Sequence, residues 1–269
     1  MSRLHQWDSN RRRLAADLVL VALALAGVLW LLLSGARSFG YNWQWYRVPQ
    51  YLFRVVDGQV VWGPLVHGLL VTLEISFWAL ALTLAIGLVV ALLRTSRSFA
   101  GRALASGYIQ LIRNTPLLVQ LYLFYFVLAP IMGIGRIWTG ILCLAFFEGS
   151  FAAEIFRAGI ESVPKGQWEA SRSLGLGRYV EFRRVILPQA LQLMLPPLTG
   201  QAVSLIKDSS IVSVIAIFDL TNEGRTIISN TFMSFEIWFT VAAIYLVLTT
   251  SLSAVAGHLE RRVSNYRLT

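Results

Sequence analysis

Six stretches of this chain are apolar over lengths that can cross a lipid bilayer, and each is set off from the next by charge, glycine or proline. They run from Leu14 to Leu33, Leu65 to Leu93, Tyr108 to Ile131, Trp138 to Ala158, Ala190 to Phe218 and Ile237 to His258. A helix needs roughly 20 apolar residues to span the hydrocarbon core, so the pattern predicts an all-α membrane protein of about six transmembrane helices. Composition agrees: 56% of the residues are hydrophobic and 14% are charged, against about 25% charged in an ordinary soluble domain.

The net charge of +9 does not indicate nucleic acid, because the basic residues fall between apolar runs rather than clustering on a soluble face. They orient the chain instead. Arg3, Arg11 to Arg13, Arg94, Arg97, Arg102, Arg157, Lys165, Arg172, Arg178, Arg183, Arg184, Arg261, Arg262 and Arg267 lie on one side of the span order. Only Arg37, Arg47, Arg54, Arg136 and Arg225 lie on the other. The positive-inside rule then puts both termini and the 157–187 insert in the cytoplasm. The first segment follows three arginines as a signal peptide would, but its length suits a retained span. The loop from Ser34 to Gly63, with Trp43, Trp45, Tyr46, Tyr51 and Trp62, lies outside, where such aromatics suit the membrane interface or a short surface helix. Cys143 is the sole cysteine and reads as ordinary packing, and no metal-ligand spacing links His5, His67 and His258.

The polar insert between the fourth and fifth spans reads as two short helices. Lys165 or Gly166 starts the first, Glu169 in its first turns complements the helix dipole, and Gly175 ends it in the left-handed conformation. Arg178 to Ile186 forms the second, stopped by Pro188. Ala170, Ser171 and Ser173 give a low profile suited to a groove, with Trp168 and Leu174 as apolar contacts. A loop lying on lipid headgroups is the alternative reading.

Glu169-Ala170-Ser171, Gly175 and Ile186-Leu187-Pro188 resemble the EAA loop of ABC importer permeases. The flanks Arg113 to Gln120, Ala153 to Ile160, Pro164 to Gln167, Leu187 to Ala190 and Leu205 to Ser210 resemble the polar amino acid permease family, in order, over roughly residues 65–258. Ser171 departs from the pattern's usual Ala, a small-for-small change, and the first apolar segment is an addition to the five spans expected of smaller members. The resemblance implies a type I ABC importer-like bundle in the bacterial inner membrane. It implies a five-helix core at 65–260 with its coupling loop at 164–188 and a cytoplasmic tail at 261–269, to which the hydropathy and charge pattern adds an N-terminal cytoplasmic tail, an extra transmembrane helix and an extracytoplasmic loop in residues 1–64. It also implies two ATPase subunits, a second permease subunit and an extracytoplasmic amino acid-binding protein as partners. Gly166, Trp168, Glu169, Ala170, Ser171, Leu174 and Gly175 would couple to the ATPase, which would bind ATP and Mg. The chain has only two lysines, Lys165 and Lys207, and neither sits in a Gly-rich phosphate loop. No cofactor is expected in it.

Ionisable residues inside spans are costly and mark pathways or ion pairs. Glu148, near mid-helix, is a candidate for a substrate ammonium, pairing with Lys207 being the alternative. Glu154 and Arg157, three apart, suit an intrahelical ion pair. Lys207 and Asp208 are adjacent and must point apart, in a segment long enough to be broken or re-entrant; Lys207 is a candidate for the substrate carboxylate or for an ion pair. Asn114 and Gln201 are polar pathway candidates, although Asn114 or Thr115 can cap a helix with Pro116 at its first position. Glu74 near the outer face suits snorkelling, and Gly149 with Ala153 suits close helix packing. A membrane-embedded enzyme or a channel is the competing class; the chain carries neither a catalytic cluster nor a filter segment.

Overall fold

The computed structural model describes residues 16–24, 26–28, 30–31, 34–35 and 41–264, the last six by backbone alone. The chain divides into two compact units, residues 1–45 and 46–269. In the first, every described residue between 16 and 35 is helical, and Leu18, Leu20, Leu23 and Trp30 are exposed. The expected first span therefore falls only partly on described residues, and Arg11 to Arg13, like Arg267 in the tail, lie outside them.

A single 3-10 turn at Trp45–Arg47 falls on the boundary, and the second unit goes on with helix α1 (Pro49–Leu52). An antiparallel hairpin follows, β1 (Phe53–Val56) paired with β2 (Gln59–Trp62). The hairpin is a local exception in an otherwise helical chain: Asp57 and Gly58 both have positive φ, 51° and 75°, the turn that matches strand twist, between two β-branched runs. Helices α2 (Pro64–Thr95) and α3 (Phe99–Arg113) come next. After them α4 (Leu117–Tyr122) passes through a π turn at Leu123–Leu128 into α5 (Ala129–Met132), and α6 is Arg136–Glu161. The insert forms α7 (Lys165–Ser173) and α8 (Arg178–Val180), with a π turn at Glu181–Ile186 leading into α9 (Leu187–Asp208). A 3-10 segment at Ser209–Ile215, α10 (Leu220–Thr231) and α11 (Ser234–Ser264) complete the described chain.

Helix α2 pairs with α6 along a seam of small residues. Ser76, Ala79, Thr83, Gly87 and Ala91 are buried, as are Gly68 and Thr72 where α2 meets the start of α10, while Leu70, Leu73, Phe77, Leu84, Leu88 and Leu92 are exposed. This is the inverse of a soluble helix and suits lipid, where apolar side chains gain little by leaving the solvent and close backbone approach holds helices together. Gly87 is the tightest instance: an added methyl group would stand 2.7 Å from Ala152 Cβ. Gly149 likewise admits Ile86, whose Cγ2 would lie 2.9 Å from a methyl there. We expect Gly87→Val to cost about 1–3 kcal/mol through overpacking, read as a lower thermal midpoint of the purified protein in detergent. An unchanged midpoint would show that the seam yields.

Of the roughly six expected spans, some are straight through and some are broken. Among the described residues, Pro64–Thr95, Arg136–Glu161 and Ser234–His258 are long and apolar enough to cross a membrane. The expected span Tyr108 to Ile131 is instead a pair of helices, Phe99–Arg113 and Leu117–Met132, bent by 105°. Pro116 causes the bend by excluding its predecessor from helical backbone. Asn114 and Thr115 do not cap the second helix as predicted. They close the first: Asn114 Nδ2 donates to the Gln110 carbonyl at 2.8 Å and Thr115 Oγ1 to that of Leu111 at 2.9 Å. Buried Gln120 then reaches back to the Ile112 carbonyl at 2.7 Å. Side chains thus take up the Leu111 and Ile112 carbonyls at the bend, as a break inside a span requires.

Pro188 does not stop the second insert helix either. Backbone on both sides of the π turn stays right-handed helical, with Leu187 at φ −58°, ψ −43°. The wider turn before Pro188 accommodates its ring and missing N–H, so the chain stays helical from Arg178 to Asp208. The end of that segment is broken: after Asp208 come the tight 3-10 turns and Ala216 in the left-handed region at φ 57°.

Candidate functional site

Helix α7 stands on its own chain through one face. Its end is a double closure in which Gly175, at φ 69°, donates to the Arg172 carbonyl (2.9 Å) and Leu176 to that of Ser171 (3.2 Å), the Schellman arrangement that Gly at this place allows. Ser171 is 2% exposed. Its Oγ lies 2.9 Å from the Trp168 carbonyl and 3.1 Å from Glu181 Oε1. Arg172 Nε donates to the same carboxylate oxygen at 3.1 Å. Trp168 packs on the cluster of Phe156, Val163, Ile186, Ala190 and Met194. Two expected contact residues, Trp168 and Ser171, therefore face inward, because the π turn beneath them supplies both an apolar seat and a buried carboxylate.

The opposite face presents Gly166, Glu169, Ala170, Ser173, Leu174 and Gly175 to the outside, Leu174 being 79% exposed. Glu169 is the fifth residue of the helix, beyond the first turn, so the predicted dipole complement is not its role. Glu181, 3% exposed, was missed by sequence reasoning. Its nine-residue distance from Arg172 is no helical contact spacing, and only the fold joins them. Removing it with Glu181→Ala strips the acceptor from Ser171 and Arg172, an expected loss of about 1–3 kcal/mol locally. Faster tryptic cleavage at Arg172 and Arg178 would register it; an unchanged digestion pattern would mean that Trp168 alone holds the helix.

A second group lies inside the bundle. Glu148 of α6, 1% exposed, accepts a hydrogen bond from Gln201 Nε2 of α9 and faces the Asp208 carboxyl at the end of α9. The alternative pairing of Glu148 with Lys207 is not the one observed. Lys207 is exposed and borders a groove of about 290 Å³ between α9 and α11, shared with Thr199, Ser204, Ser253 and Gly257. Adjacent Lys207 and Asp208 thus point apart. Asn114, exposed and bonded to its own helix, does not join this cluster.

At the other end of α6, Arg157 Nη2 lies 2.9 Å from Glu154 Oε2, and Arg157 also pairs with Glu161. Arg94, from the end of α2, pairs with Glu154 as well, a partner 60 residues away that no local spacing announces. The network ties the two seam helices together where they leave the apolar region. Near the start of α6, Arg136 Nη1 donates to the Ala216 carbonyl at 2.8 Å. Arg136, Glu74, Trp138 and Phe218 border an open groove of about 610 Å³. Beyond Phe218, between spans, Asp219 accepts hydrogen bonds from the N–H groups of Asn222 (3.0 Å) and Thr221 (3.3 Å) and caps α10. Burial pushes its carboxyl up to about 6 against the pull of those bonds, and burial also raises Glu223, with His67 acting the other way. Among the described residues no group of three or more His, Cys, Asp or Glu could hold a metal ion. Cys143 is fully buried among apolar side chains.

Broken and unbroken apolar helices around buried carboxylates, with a short polar helix outside them, are those of a multi-pass membrane protein. Residues 83–265 match the family of binding-protein-dependent transport system inner membrane components, and the chain belongs to that family. It is 38% identical over 213 residues to the glutamine transport system permease protein GlnP of Escherichia coli (strain K12), covering 77% of this chain and 97% of that one. It is 35% identical over 189 residues to the nopaline transport system permease protein NocM of Agrobacterium fabrum, covering 66% and 78%. Among solved structures, an amino acid ABC transporter with histidines matches at TM-score 0.70 and 40% identity, covering 74% of this chain and 94% of that one. The methionine ABC transporter MetNI in an inward-facing conformation matches in fold at TM-score 0.65 and 23% identity, covering 74% and 96%. The fold is that of a type I ABC importer permease. The chain is a transport component of the inner membrane rather than an enzyme, and the family implies ATPase and substrate-binding partners.

Proposed function

We propose that this chain is the permease subunit of an ATP-driven importer of polar amino acids, with both termini and the insert in the cytoplasm. The observation that carries the coupling part is the two-faced helix α7, clasped from beneath by Glu181 and Trp168 and presenting Glu169, Ala170, Leu174 and Gly175 outward. Gly166, Glu169, Ala170, Leu174 and Gly175 would enter a groove of the ATPase subunit, while Trp168 and Ser171 transmit the load to α9. A clasp of this kind lets closure of an ATPase pair, which binds the ATP and Mg, move the spans as a rigid body between outward-open and inward-open states.

A second permease subunit would complete the pathway, with residues 65–260 as the conducting core and 1–64 as an extension. Two carboxyls and a carboxamide, from Glu148, Asp208 and Gln201, suit the three N–H donors of an ammonium group. Lys207, in its separate groove, is assigned to the α9–α11 contact, and Glu154 with Arg157 to structure. The relatives that transport glutamine and nopaline support the cargo class. The test is uptake into proteoliposomes holding the permease with its ATPase and binding protein, over a panel of labelled amino acids. Uptake of one or a few polar amino acids that requires ATP is expected; uptake of none, or uptake without ATP, would overturn the reading.

A further inference from the structure

The hairpin that precedes α2 has two chemically different faces. Cross-strand partners are Phe53 with Trp62 and Val55 with Val60 on one face, and Arg54 with Val61 and Val56 with Gln59 on the other, because side chains alternate along a strand. The first face is wholly apolar, yet its members are 49%, 57%, 67% and 58% exposed in that order. Isolated two-stranded hairpins are marginal in water, and bare edges with an apolar face invite association. This one needs a cover.

Its position names the cover. Trp62 is followed by Gly63 and then Pro64, the first residue of the membrane span. The base is fixed rather than free: Gly63 N–H donates to the Leu52 carbonyl at 2.8 Å, and the backbone of Tyr51 leaves Gly63 no room for a side chain. Tyr51 and Leu52 pack in turn on Leu65, Leu220 and Met233. The hairpin is thus held at the mouth of the span, Trp62 standing two residues before its first helical residue, and Trp is a residue that favours the headgroup boundary. The other face is the more polar one, Arg54 and Gln59 sharing it with Val56 and Val61, and with the Asp57-Gly58 tip it supplies the side that an interfacial element turns to water.

We propose that the hairpin is a lipid anchor, its Phe53, Val55, Val60 and Trp62 face lying in the leaflet at which the span Pro64–Thr95 begins. It fixes the height of α2 against the bilayer independently of cargo and nucleotide. Because Cys143 is buried and the sequence holds no other cysteine, single-site labelling reads this directly. The assembled transporter, in nanodiscs of phosphatidylethanolamine and phosphatidylglycerol, carries a spin label at Val55→Cys or, separately, at Arg54→Cys. The expected result is a label at 55 relaxed by oxygen and shielded from an aqueous nickel chelate, with the reverse at 54, with or without binding protein. Equal access of the chelate to both sites would overturn the anchor. Shielding of 55 that appears only when binding protein is added would overturn it in favour of a protein docking surface.

Discussion

Glu169→Lys is expected to abolish ATP-dependent uptake while leaving membrane insertion and folding intact. Glu169 is exposed on the outward face of α7 and makes no side-chain contact that the clasp depends on, so the change should not disturb Ser171, Arg172 or Glu181. In a docked groove a reversed charge costs several kcal/mol, enough to lower coupled turnover by about 100-fold or more. The measurement pairs uptake with ATP hydrolysis in the same proteoliposomes. Lost uptake with hydrolysis either lost or freed from its dependence on binding protein fits the proposed role; normal uptake refutes it.

Glu148→Gln carries the second large effect. The substitution keeps the shape and a hydrogen bond to Gln201 but removes one of the two carboxyls, and hydrogen bonds to charged groups contribute about 1.5–3 kcal/mol. That corresponds to an apparent affinity lower by about 10- to 100-fold, or to an altered choice of amino acid, measured as the concentration dependence of uptake across the panel. Thermal stability should change little, since the carboxamide still has partners. An unchanged uptake profile would return Glu148 to a packing role between α6 and α9.

The contrast between these two residues explains how much the sequence disclosed. The helix that carries Glu169 was legible because its signals are local: nine residues followed by a left-handed Gly175 follow from residue order alone. The apolar runs gave the straight helices α2, α6 and α11 for the same reason, since span length is a one-dimensional property. Glu148 was legible as an anomaly in a span, but its partners were not. Gln201 and Asp208 lie 53 and 60 positions away and are brought in by the packing of α9 on α6. The same limit hid Arg94 beside Glu154 and Glu181 beneath Ser171. Proline misled in two directions. Pro116 breaks a span that hydropathy reads as continuous, while Pro188 is carried inside a helix because a π turn before it makes room. The hairpin escaped notice because the Ser34 to Gly63 loop reads, through its aromatics, as interfacial chain or a short surface helix; Asp57-Gly58 was the available signal.

The central claim is that α7 is where the ATPase grips this permease. It is tested most directly by cysteine cross-linking in the assembled transporter. Ala170→Cys, on the outward face, is paired with single cysteines across the ATPase groove, and Ser171→Cys, 2% exposed, serves as the inward control. The account predicts a disulfide from position 170 to the ATPase subunit, none from position 171, and block of nucleotide-driven uptake that reductant restores. No cross-link from 170 to the ATPase, or equal cross-linking from both positions, would contradict it.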